Sequence, residues 1–197
     1  MFLELVTAPA AALLSTAAAK DHCRLTSADD DEYVDELVVS ASAEIEVITG
    51  RAVVEQTWRA NLDGFPSGAA RIYLPKPPLI SIEEITYTDS DGSPQILVED
   101  TDFKVFAPSG PTATHGWVEP LPGGAWPAAQ AATGSVQIEF KAGYSTDAIP
   151  APLVQACRLT IAHWERHREE VVIGTISNKV PRSAAALLSP FLVYEVC

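Results

Sequence analysis

A chain of 197 residues with 47% hydrophobic and 20% charged side chains is long enough to bury a core of its own, which excludes disorder throughout. No run in it approaches the roughly 18 apolar residues of a membrane span. The formal net charge of −13 lies ahead of Pro150, where Met1–Ile149 holds 8 Lys/Arg against 22 Asp/Glu and the remainder holds 5 against 4, so a basic nucleic-acid grip is excluded while a wall that DNA slides past is not.

The opening stretch, MFLELVTAPAAALLSTAAAK, has the alanines and leucines of an export signal, but Glu4 and Pro9 interrupt it and no basic residue precedes its apolar part, so export is not expected. Ser15 or Thr16 is placed to cap a short helix through Arg24, with Lys20 and Arg24 near the negative end of its dipole. After a turn at Thr26–Asp29, a longer helix starts near Asp30, where Asp30, Asp31 and Glu32 suit a positive N-terminus. Val34, Leu37, Val38, Ala41, Ile45 and Ile48 recur at helical spacing, and Gly50 supplies the stop. These two helices predict a hairpin within residues 1–50.

From Val53 the pattern changes to alternation and turns: VVEQTWRANL, RIYL, SIEEITYTD, PQILV, DFKVF and SVQIEFKAGY, with a Pro/Gly-rich break from Pro108 to Gly134. The reading is an antiparallel β insertion over 51–146. Pro150 and Pro152 then open a third helix, since proline is tolerated where its missing donor has no partner anyway. Leu153, Val154, Cys157, Thr160, Ile161 and Trp164 form its buried stripe. A short helix at Ser183–Leu188 and an apolar end, PFLVYEVC, complete residues 147–197. The expected class is α+β: a helical core made of the N-terminal hairpin and the C-terminal helix, interrupted by the β insertion.

Candidate chemistry is thin. His163 and His167 in HWERH are four apart on one helix face, a spacing that binds zinc, but Glu165 does not follow the first histidine as a metalloprotease base does. A helix end with His163 packed beside Trp164 explains the string better. The run Asp29–Glu32 lacks the alternating ligands and central glycine of a calcium loop and reads as a helix start. Asp89–Gly92 reads as a hairpin turn. Cys23, Cys157 and Cys197 lie far apart without CxxC spacing, and GxSxG, P-loop and dinucleotide motifs do not occur. No catalytic, cofactor-binding or metal-ligating residue is therefore assigned.

Several strings taken in order carry a resemblance: LELVTAPAA leading to AAAKDHCRL, TGRAVVEQTWRANLDGFP, RIYLPKPPLISIEEITYTDSDG, IPAPLVQACRLTIAHWERHREEVVIGT and ALLSPFLVYEV. Across nearly its whole length the chain resembles the head-tail connector, or adaptor, family of long-tailed DNA phages and phage-derived gene transfer agents. The resemblance implies a homo-oligomeric ring of twelve copies beneath a portal protein, with a stopper or other tail-side protein attached below. Double-stranded DNA would pass through without specific binding, and no activity, cofactor or membrane is implied. The location implied is the head-tail vertex of a virion or gene transfer agent particle, after assembly in the bacterial cytoplasm. The apolar residues near the end, Leu187, Leu188, Phe191, Leu192 and Tyr194, together with Trp164, are the expected protein interface, with the tail docking on a partner. Three other readings stay open: a tail terminator or stopper, an intracellular metal-dependent hydrolase using His163, His167 and Glu165, and a β-rich binding module for protein or carbohydrate.

Overall fold

The structure is a computed structural model and describes residues 1–167 and 181–193. The chain divides into two compact units, one of Met1–Ala10 with Glu55–Gly143, the other of Ala11–Val54 with the described residues from Tyr144 onward. The fold is α+β, with helices in the second unit and antiparallel sheets in the first.

In the helical unit, α1 (Thr16–Cys23) starts where the Ser15 hydroxyl accepts the Ala18 amide at 3.2 Å and ends where Arg24 turns into the left-handed region. Ser27 caps a short 3₁₀ turn, Ala28–Asp30, that feeds α2 (Asp31–Thr49), and Gly50 closes α2 at φ 71°. Along α2, Val34, Val38, Ala41 and Ile45 are buried, as the 3.6-residue period requires. They meet Leu153, Ala156, Cys157 and Ile161 of α3 (Ala151–Arg166) and Ala184 and Leu188 of α4 (Arg182–Leu188) in one core.

One buried charge ties this unit together. Arg51 is 2% exposed, and its Nε donates to the Phe191 carbonyl at 2.6 Å, beyond the end of α4. Burial lowers its pKa, while the neighbouring Tyr144 phenol opposes the shift. A second bond, Val193 amide to Thr49 carbonyl at 2.9 Å, fixes the same chain segment beside the end of α2. The segment after α4 is thereby held by its own unit through main-chain acceptors and donors.

The β unit contains β1 (Phe2–Thr7), β2 (Gln56–Leu62), β3 (Ile72–Leu74), β4 (Leu79–Thr88), β5 (Pro94–Leu97), β6 (Phe103–Phe106), β7 (Gly116–Pro120) and β8 (Val136–Ala142). Five strands form an antiparallel sheet in the order β1-β2-β8-β4-β5, and the other three form a sheet in the order β3-β7-β6. Ala60, Ile138, Phe140 and Ile85 face one way from the larger sheet and are buried, while Gln137 on the other face is exposed, giving the half-buried alternation of an antiparallel sheet. At Gly116 a Cβ would lie 2.4 Å from Leu79 Cδ2, so only glycine lets β7 approach β4 this closely.

Two strands depart from the expectation. Residues 2–7, assigned with 1–50 to the helical part, form β1 and pair with β2 from Phe2↔Asn61 to Thr7↔Thr57. β7 lies inside the Pro/Gly-rich stretch read as a break, where its buried residues, Gly116, Val118 and Pro120, give a weak hydrophobic signal. The insertion also narrows: residues 51–54 and 144–146 belong to the helical unit.

Candidate assembly surfaces

The sequence's most enzyme-like residues serve the ends of helices. His163 and His167 pack with tilted rings, their centroids 4.6 Å apart, and His167 Nδ1 lies 2.9 Å from the His163 carbonyl, where α3 ends. Among the described residues no three His, Cys, Asp or Glu side chains gather as metal ligands do. Of the Asp29–Glu32 run, Asp29 bonds Ser27, Asp31 pairs with Lys20, and Asp31 and Glu32 occupy the first turn of α2. Cys157 is fully buried and desolvation pushes its thiol up to about 12, which leaves it a packing residue with no thiolate.

The six expected interface residues separate. Leu188 and Phe191 are 1% and 4% exposed and lie in the core of the helical unit, covered by their own chain. The reason is the short α4 and the 3₁₀ turn Ser189–Phe191, which fold the apolar segment back under the Arg51 bond. Trp164 and Leu187 are half-buried against the same core, and Leu192 is exposed. Tyr194 lies outside the described residues.

Exposed apolar side chains gather elsewhere. On β1 they are Phe2, Leu5 and Val6; on and just after β5 they are Ile96 and Val98; on the outer face of α2 they are Val39 and Val47. β1 and β5 are the two edges of the five-stranded sheet. Across its outer face runs an ionic row in which Arg59 reaches Glu4 at 3.4 Å and Glu139 at 2.9 Å, with Lys141 and Glu83 at 3.3 Å beside it. Exposed pairs of this kind add little stability but satisfy the charges on a wet face. The signal that marks β1 in the sequence is FLELVT itself, a run of β-formers that an export-signal test passes over.

Neither a family model nor a curated protein matches the chain. Solved structures do. The fold is similar, over 100% of this chain and 98% of the other, to a chain in the neck of an empty gene transfer agent (GTA) particle computed with C6 symmetry, at 24% identity and TM-score 0.78. It is similar over the same shares to a chain in the virion of a native GTA particle, at 23% identity and TM-score 0.78. A chain in the neck of a native GTA particle computed with C12 symmetry aligns over the same shares at 25% identity and TM-score 0.74.

Proposed function

We propose that the protein is a structural subunit of a phage-like particle, a head-tail connector of the adaptor type that builds a ring between the portal protein and a stopper or tail-side protein. The observation that carries this reading is a likeness that takes in the entire chain and 98% of chains from GTA necks and virions, so the whole architecture is shared and not one motif. Two of those necks were computed with C6 and C12 symmetry, which supports a homo-oligomeric ring of twelve copies.

The charge is consistent with a channel. At −13 per chain, an acidic lumen repels duplex DNA and lets it pass without specific binding. The function resides in contacts: residues with catalytic potential are engaged at helix starts and ends, and the surface offers apolar edges. The place of action is the head-tail vertex, after assembly in the bacterial cytoplasm.

Electron cryomicroscopy of particles purified from cells producing this protein tests the reading. The expected result is a ring of density between head and tail into which this fold fits. Particles that lack the protein, or that carry it away from that vertex, defeat the proposal.

A further inference from the structure

The five strands of the larger sheet alternate in direction without exception, so β1 and β5, at its two ends, run the same way. Where rotation about a ring axis sets the β1 edge of one copy beside the β5 edge of the next, the two strands meet in parallel orientation. That is a head-to-tail contact between two different faces, the kind a closed ring requires.

The side chains also correspond. One cross-sheet row starts at Phe2, runs through Asn61, Gln137 and Thr86, and ends at Ile96; Phe2 and Ile96, 53% and 63% exposed, therefore stand on the same face. The adjoining row starts at Leu3 and ends at Leu97 on the core face. Joining the edges sets apolar beside apolar on both faces of the continued sheet. These two rows are the ones that run across all five strands; β1 continues past them to Leu5 before its bulge, and β5 extends back from them to Pro94.

An open edge is normally blunted by lysine, by proline within the strand or by a covering element, because it recruits other strands. Phe2–Thr7 has no lysine or proline, its sole charge, Glu4, is paired with Arg59, and no described residue hydrogen-bonds to its outer side. We propose that β1 is an assembly strand whose open edge joins β5 of a second copy of this chain, continuing the five-stranded sheet from subunit to subunit. This rests on the ring reading above and names the contact that closes the ring.

The test replaces Phe2 with a benzophenone-bearing phenylalanine in the full chain, irradiates the assembled particles and maps the cross-linked peptides. Within one chain β1 and β5 lie four strand spacings apart, roughly 19 Å at about 4.8 Å each, beyond the label's reach, so any link between them joins two copies. The expected result is a ladder of multimers on a denaturing gel with position 2 linked to the peptide spanning 94–98. Ile96→Glu, an exposed change that leaves the fold intact, should reduce that ladder several-fold. Links to residues 1–7 of another copy, to the helical unit or to a different protein, or no links in particles that contain the protein, overturn the edge contact. A ring seen by microscopy without these links keeps the connector reading and discards this one; no ring at the vertex discards the connector reading itself.

Discussion

The helical unit and the β unit solve the same problem in opposite ways. The helical unit turns its loose apolar segment inward: Leu188 and Phe191 are buried, and the Arg51 guanidinium bonds the chain just beyond α4. The β unit leaves apolar residues outward, at both ends of a sheet whose β2 and β8 have a strand paired on either side. The difference separates stability from association. Buried apolar side chains define the folded state, whereas an open strand edge is a place where a further strand can pair.

The largest effect expected from a single change bears on the first half of that contrast. Leu188→Ala removes a side chain buried in the helical core and should cost about 2–5 kcal/mol, while Leu192→Ala, at the surface four residues on, should stay within about 0.5 kcal/mol. Denaturant midpoints of the two variants measure this. Equal, small effects would mean that Leu188 is not held in the core and would return it to the set of docking residues.

A smaller effect is expected in the β unit. Gly116→Ala drives a methyl into Leu79, in a contact that has no slack, and overpacking of this kind costs about 1–3 kcal/mol. Thermal unfolding reads it, and Leu79→Ala in the same chain should recover part of the loss by opening space. If Gly116→Ala is neutral, β7 and β4 are not in close contact, and the closed middle that contrasts with the open edges is lost.

The parts of the fold legible in the sequence are those written locally. α2 and α3 have periodic stripes, and Ser15 marks the start of α1 and Gly50 the end of α2, so these helices can be read from a short window. Strands with several β-formers in alternation, such as Val136–Ala142, were equally clear. β7 is hidden because glycine and proline fill two of its three buried positions, and β1 because six residues carry a weak strand signal beside a stretch rich in alanine and leucine. The pairing order was beyond reach, since β8 enters between β2 and β4 from far along the chain. The apolar end expected at an interface packs, at Leu188 and Phe191, in the core of its own unit. An apolar tail must be covered, but periodicity does not say whether its own core or a partner covers it, and the Arg51 bond to the Phe191 carbonyl joins residues 140 positions apart.

The smallest effect sharpens the contrast at the β5 edge itself. Asp89 organises the β4–β5 turn: its Oδ1 accepts the amides of Asp91 at 3.0 Å and Ser93 at 2.9 Å, and its Oδ2 accepts Gln95 Nε2 at 2.9 Å. The Ser93 amide, followed by the Gln95 side chain, holds the carboxyl below its ordinary range. A depressed carboxyl pKa gives a contribution that is fully present above the unfolded value, roughly 3.9, and is lost as pH falls through the folded value. The amide resonances of Asp91 and Ser93 should therefore hold steady at neutral pH and move only under acid conditions below the usual aspartate range. Asp89→Ala should abolish that titration and leave the thermal midpoint almost unchanged, because the turn is solvent-exposed and the rest of β4 stays paired with β8. What it should loosen is β5, by freeing Gln95 and the turn amides that align Pro94–Leu97 beside Tyr87 and Thr88. Cross-linking from position 2 to residues 94–98 should then fall in particles made with Asp89→Ala. An undiminished yield, with the titration gone, would show that the edge is held in place by its neighbour in the ring and not by its own turn.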